Sequence, residues 1–191
     1  MIMDLVQEAR NLALKEIEKF GVPNLVHFEI SEKKVIELCE KLNADKTIAL
    51  TGYYLMDLKL GEAFRLDKIK EHIKMSLDMA KQFLEKFDLD EETKKKIINC
   101  IEAHHGGVPF ICKEAEICAN ADAYRFLHPK GFFATLAFMG KDLGFEKTLK
   151  LLNQKIDEKY NILSIDVCKK ELAKYYKQLK ELIEIALELS L

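Results

Sequence analysis

Residues 46–60 read KTIALTGYYLMDLKL, and this stretch decides the fold. Apolar side chains lie on nearly every face of a helix drawn through it, which is typical of a central, largely buried helix. From Thr47 to Leu58 the only charged residue is Asp57. The apolar stretch is too short to cross a bilayer, because a membrane-spanning helix takes about 20 residues. We therefore expect it to be the spine of a soluble helical domain.

The rest of the chain predicts helices joined by short loops. It contains only three prolines and eight glycines, and apolar residues recur at three- and four-residue spacing almost throughout. The predicted helices cover about 4–20, 25–42, 46–60, 67–87, 90–106 and 112–127, with three more from 131 onward and with Asn24, Asp67 and Asp90 as N-caps. We expect a single domain over residues 1–191, with a motif-bearing core at about 24–128 and a C-terminal helical extension at about 131–191.

Composition places the chain among globular proteins with a heavily charged surface. Hydrophobic residues make up 49% and charged residues 32% of the sequence, and the formal net charge is −2. Because basic residues are interspersed with acidic ones, no stripe could follow a nucleic-acid backbone. The segment from Met1 to Phe20 lacks the basic start and apolar centre of a signal peptide. We therefore expect a cytoplasmic protein that binds neither nucleic acid nor membrane; the sequence does not fix its oligomeric state, and a homodimer is one possibility.

Six ionisable side chains lie on or beside the predicted apolar helix faces, namely His27, Asp57, His72, His104, His105 and Asp122. An ionised carboxylate left unpaired in the interior costs several kcal/mol, so each aspartate needs a cation, hydrogen bonds or a metal. A single inward histidine is most often a hydrogen-bonded core residue. Six such residues from five helices instead favour a site for a divalent transition metal with nitrogen and oxygen ligands.

The order of these residues resembles the HD superfamily of metal-dependent phosphohydrolases. The series comprises His27, Asp57 within Leu55-Met56-Asp57-Leu58, His72, the AHHGG motif at 103–107, and Asp122 within the NADAYRF motif at 120–126. The resemblance covers about residues 24–128 and implies an all-α, HD-domain-like helical bundle with additional C-terminal helices. It further implies one or two divalent ions (Fe, Mn, Ni, Zn or Mg) and cleavage of a phosphate ester in a nucleotide or a related small phosphorylated compound.

The resemblance assigns the candidate ligands to two ion positions. The first ion position takes His27, Asp57 and Asp122. The second ion position takes Asp57, which bridges the two, with His72 and either His104 or His105. An ion there would activate a water, and a histidine of the second position would protonate the leaving oxygen, which makes Asp57, His72, His104 and His105 the candidate catalytic residues.

One residue departs from the family pattern. Met56 replaces the histidine of the His-Asp pair that names the family, and a thioether is a poor ligand for Mg, Mn or Fe(II). Clamps for the substrate phosphate would be cationic, and the cations nearest the motifs are Lys59, Arg65 and Arg125. Arg125 also follows Asp122 by three residues, a spacing that allows an ion pair on one helix.

Three functions compete at this stage. The first is an HD phosphohydrolase with an altered metal site, favoured by the six retained ionisable positions. The second is a degenerate HD domain that binds a nucleotide or phosphorylated ligand as a sensor or interaction module, favoured by Met56. The third is a di-iron bundle, suggested by the spacing of Glu102 and His105. Such bundles carry Glu-x-x-His on two helices, and no other histidine follows a glutamate by three residues here.

Overall fold

A computed structural model describes residues 4–188, and within that range the chain is all-helical, as the sequence predicts. One short 3-10 helix, Ile69–Glu71, accompanies the α-helices. The α-helices are α1 Leu5–Phe20, α2 Leu25–Leu42, α3 Lys46–Met56, α4 Leu60–Arg65, α5 His72–Leu84, α6 Glu91–Ala103, α7 Lys113–Leu127, α8 Pro129–Leu143, α9 Phe145–Ile162 and α10 Asp166–Glu188.

The helix ends follow the capping residues of the sequence, with one exception. The side chains of Asn24 and Asp90 accept hydrogen bonds from first-turn amides, as predicted, and Gly21 ends α1 in the left-handed conformation. Asp67 was predicted as an N-cap, and this is wrong. It has a φ of +57° and closes α4, with the amide of Lys68 bonded to the carbonyl of Ala63 at 2.7 Å. Residues 61–66, which lie between two predicted helices, thus contain most of a short helix, and Asp67 ends it because aspartate tolerates the left-handed conformation.

Helices α3 and α7 form the centre of the bundle. Helix α3 packs against α1, α2, α5, α6 and α7, and its side chains are buried on nearly every face. Gly52 allows α3 to approach α6 closely, since a Cβ there would lie 2.3 Å from the Cβ of Cys100. Helix α7 packs against α2, α3, α6, α8, α9 and α10. The two segments that carry Asp57 and Asp122 are therefore also the most enclosed.

The three C-terminal helices pack onto the motif-bearing core, with α8 on α2 and α7, and α9 and α10 on α7. One cluster of buried apolar side chains runs from α1 to α10. Asn120 of α7 holds the turn between α9 and α10, because its Oδ1 accepts hydrogen bonds from the amides of Ser164 and Ile165, each at 3.1 Å. Between residues 4 and 188, no helix is both long enough and apolar enough to cross a membrane.

Candidate metal centre

Asp57 lies where α3 ends, and its two oxygens have different neighbours. Oδ2 accepts a short hydrogen bond from Nη1 of Arg125. Oδ1 lies 3.6 Å from Nε2 of His72 and 3.6 Å from Nε2 of His104. Burial opposes ionisation, but the charge of Arg125 and the smaller contributions of His104 and His72 together outweigh it and hold the pKa of Asp57 well below its ordinary value. Asp57 is thus an ionised carboxylate with one oxygen turned toward two imidazoles.

The two imidazoles are held by main-chain carbonyls at the ends of their helices. His72 begins α5 and its Nδ1 lies 2.7 Å from the carbonyl of Ile69, and His104 follows α6 with its Nδ1 2.7 Å from the carbonyl of Ile101. A carbonyl only accepts, so in each ring Nδ1 carries the hydrogen, and in the neutral ring Nε2 keeps a lone pair. Both Nε2 atoms are buried and lack a hydrogen-bond partner.

His105 completes a cluster of three histidines. One ring nitrogen from each of His72, His104 and His105 lies within 4.8 Å of the others. Nδ1 of His105 bonds Oε1 of Glu158 at 3.0 Å, which holds the pKa of that carboxyl at about 2. The side chain of His105 is 26% exposed, whereas that of His104 is fully buried, so His105 lies on the open side of the cluster.

The second ion position fits a divalent ion. When both rings are neutral, its three nearest ligand atoms (Oδ1 of Asp57 and the two unpaired Nε2 atoms) all carry lone pairs, and no hydrogen bond joins them. Burial lowers the pKa of His72, which favours its neutral, metal-binding form. Ligands about 2.1 Å from a tetrahedral ion lie about 3.4 Å apart, close to the spacing of Asp57 from each histidine.

The first ion position contains cations from the protein. Nη1 of Arg125 donates to Oδ1 of Asp122 at 2.6 Å as well as to Asp57. Nζ of Lys159 lies 2.6 Å from Oδ2 of Asp122, and Lys159 is 1% exposed. Burial opposes ionisation of Asp122, but Lys159 and Arg125 outweigh it and lower its pKa. We call these four residues (Asp57, Asp122, Arg125 and Lys159) the buried ion-pair network.

The other predicted ligand of the first position, His27, is also engaged elsewhere. Its Nε2 lies 3.0 Å from the carbonyl of Gly131 and 2.8 Å from the hydroxyl of Thr135. Because that carbonyl must accept, Nε2 carries the hydrogen and only Nδ1 remains as a donor atom for a metal. Burial and the charge of Arg125 lower the pKa of His27 to about 4. Buried Met56, which lines one cavity with Asp57 and Arg125, offers only a thioether, so the residues of the first position do not fit an ion.

The structure separates the three predicted phosphate clamps. Lys59 bonds Glu16 at 3.2 Å and Glu62 at 2.9 Å, so its charge is already paired. Arg65 is exposed and forms no salt bridge within residues 4–188. Arg125 lies inside the buried ion-pair network rather than on an open surface.

Two residues of the site lie in the C-terminal extension, for which the sequence predicted helices but no site residue. Lys159 and Glu158 both come from α9. The signal for Lys159 was present, since it continues the buried stripe of Leu149, Leu152 and Ile156 at helical spacing. A lysine on such a stripe indicates a buried anionic partner, but the sequence does not say which one.

Comparison with known proteins gives one relative of partial length. No family-level sequence profile matches the chain, and no solved structure matches it. The chain is similar to ribonuclease Y of Finegoldia magna, with 34% identity over 92 residues. The match covers 48% of this chain and only 16% of that protein. It supports the relation to HD-domain proteins that the order of histidines and aspartates first indicated, because ribonuclease Y has an HD domain.

Proposed function

We propose that this chain is a metal-dependent hydrolase of phosphate esters that holds one divalent ion at the second ion position. The observation that carries the proposal is the pair of buried, unpaired Nε2 atoms of His72 and His104, which face Oδ1 of Asp57. Nitrogen and carboxylate donors suit Fe, Mn, Ni or Zn better than Mg. The partial similarity to ribonuclease Y agrees with a phosphoester hydrolase.

Each residue of the second position has a separate task in this proposal. A bound ion would supply an acidified water as nucleophile and would neutralise charge on the phosphate. The main-chain carbonyls keep the rings of His72 and His104 in the tautomer that presents Nε2. Glu158 accepts a hydrogen bond from Nδ1 of His105 and so favours the doubly protonated, cationic ring, whose Nε2 hydrogen would be given to the leaving oxygen.

The proposed substrate is a small phosphodiester, such as a nucleotide derivative or a short oligonucleotide. The name of the relative states that it acts on RNA, which favours a phosphodiester over a phosphomonoester. The formal charge of −2 and the interspersed basic residues favour a small ester over long nucleic acid. That the chain binds no nucleic acid stays a prediction, and the name of the relative, a ribonuclease, argues against this prediction.

Metal content and hydrolysis, measured together, test the proposal. Protein without a histidine tag is stripped with chelator, reloaded with each candidate metal, and assayed with chromogenic phosphodiesters, phosphomonoesters and short RNA. We expect one ion per chain in the wild type, loss of that ion and of hydrolysis in His104→Ala, and retention of both in His128→Ala. His128 is a suitable control because it is a histidine outside the cluster, at the N-terminal end of α8. A wild type that binds no ion would refute the proposal.

A second candidate function is a non-hydrolytic domain that binds a phosphorylated ligand. The buried ion-pair network and Met56 favour it, because they leave no place for the first of the two ions that the resemblance allows. The same experiment separates the two candidates. An ion bound without hydrolysis of any ester, combined with stabilisation of the fold by a nucleotide, would favour the binding domain.

A further inference from the structure

We infer that Arg125 and Lys159 replace a metal ion, so that the first ion position is closed to metal and held together by the protein's own cations. The inference goes beyond the proposed function and rests on it only for the ion at the second position. It is carried by three features of the buried ion-pair network: its charge balance, the use of its carboxylate oxygens, and the withdrawal of the remaining ligands.

The first feature is charge balance. Asp57 and Asp122 bring two negative charges into the interior, and Arg125 and Lys159 bring two positive charges to the same oxygens. Asp122, Arg125 and Lys159 are each at least nine-tenths buried. A divalent ion at the first position would therefore add two uncompensated charges to a region that is already neutral, which costs several kcal/mol per charge in the interior.

The second feature is the use of the oxygens. Three of the four carboxylate oxygens are already paired with the cations: Oδ2 of Asp57 and Oδ1 of Asp122 accept hydrogen bonds from Arg125, and Oδ2 of Asp122 forms an ion pair with Lys159. The fourth, Oδ1 of Asp57, is the one that faces the two unpaired imidazoles. An ion at the first position would have to displace an ammonium or a guanidinium, whereas the second position retains an anionic donor without such a displacement.

The third feature is the withdrawal of the neutral ligands. His27 turns its Nε2 hydrogen toward the carbonyl of Gly131 and the hydroxyl of Thr135. Met56 is 1% exposed and offers a thioether at the sequence position where the family pattern has a histidine. Because these changes coincide with the two cations, the first position is a coherent ion-pair site rather than a metal site that lacks one ligand.

Lys159 gives the C-terminal helices a part in this site. Its Nζ lies 2.6 Å from Asp122 and 3.4 Å from Nδ1 of His105, so it contacts residues from both ion positions. It reaches them because α9 packs along α7 with Lys159 on its buried stripe. A residue outside the stretch that resembles the HD family thus supplies one of the two replacement cations.

The number of manganese ions bound per chain tests the inference. Wild type, Met56→His, and the triple variant Met56→His/Arg125→Met/Lys159→Met are folded with excess Mn²⁺, passed over a desalting column and analysed for bound metal. We expect one ion per chain in the wild type, no additional ion in Met56→His, and one additional ion in the triple variant. Met56→His/Lys150→Met is the matched control, because Lys150 is exposed on the same helix, and it should gain none.

Several outcomes would overturn the inference. Two ions per wild-type chain would overturn it. An additional ion in Met56→His alone would also overturn it, and this measurement does not require the triple variant to fold. A folded triple variant that gains no ion would also do so. A wild type with no ion, combined with a triple variant that gains one, would refute the proposed function and leave the replacement of the metal supported.

Discussion

Arg125 offers the sharpest test of the energetics of the site, because one nitrogen of its guanidinium bonds two buried carboxylates. In Arg125→Leu, Asp57 and Asp122 would be left close together with only Lys159 to balance them. Breaking a buried pair by removing one partner costs about 3–5 kcal/mol. We expect the free energy of unfolding at pH 7.5, from urea titrations followed by circular dichroism with chelator present, to fall by about that amount.

The pH dependence of that loss is the decisive observation. In the wild type the pKa values of Asp57 and Asp122 lie below their ordinary range, so their contribution is fully present above about pH 4 and is lost as pH falls through the folded values. In Arg125→Leu at least one carboxyl should have a raised pKa, and each unit of increase relieves about 1.4 kcal/mol at low pH. The difference from wild type should therefore shrink at pH 5.

Arg10→Leu is the control, because Arg10 bonds a single carboxylate, Glu32, through two nitrogens and its side chain is 36% exposed. A partly exposed pair of this kind contributes about 1 kcal/mol, so its loss should be small at both pH 5 and pH 7.5. If Arg125→Leu lost no more stability than Arg10→Leu, or lost as much at pH 5 as at pH 7.5, the buried ion-pair network would not have the role argued for it.

Three further outcomes are expected. The pKa of His27 is about 4 in the folded protein, so between pH 7 and pH 5 the unfolded chain binds the proton first and His27 lowers the free energy of unfolding by about 2 kcal/mol. His27→Gln should abolish this part of the pH dependence in urea titrations. Gly52→Ala should destabilise the fold by about 1–3 kcal/mol or more in the same assay, since its Cβ would lie 2.3 Å from that of Cys100; an unchanged midpoint would contradict the packing of α3 on α6. Glu158→Gln should weaken metal binding or turnover by about 10- to 100-fold in a Mn²⁺ titration and a hydrolysis assay, because it holds His105; equal values in both would remove Glu158 from the site.

Sequence periodicity predicted the helices and the burial of the ionisable residues, because both depend on local spacing. His27, His72, His104 and Asp122 are buried on the faces where the apolar stripes placed them. The burial of Asp57 followed from its position as the only charge in an apolar helix. A helix that is apolar on nearly every face has to be enclosed, and an ionised side chain at its end is enclosed with it.

The partners of these residues could not be read from the sequence, because they depend on contacts between distant segments. Lys159 meets Asp122 across 37 positions of the chain, and nothing local to either residue indicates the pairing. The three-residue spacing of Asp122 and Arg125 indicated that they could form an ion pair on one helix, but only the packing of α3 on α7 shows that Arg125 also bonds Asp57. The choice between a metal and a pair of protein cations was therefore decided by tertiary structure.

The hydrogen bonds that Asn120 accepts from the turn between α9 and α10 have a consequence for how the molecule opens. Asn120 lies two positions before Asp122 on α7, and Lys159 of α9 forms an ion pair with Asp122 itself. Opening of the C-terminal helices would break both attachments and leave a carboxylate without its ammonium. We therefore expect the amides of α9 to exchange with solvent deuterium in the same cooperative event as those of α7, rather than by independent fraying from the chain end.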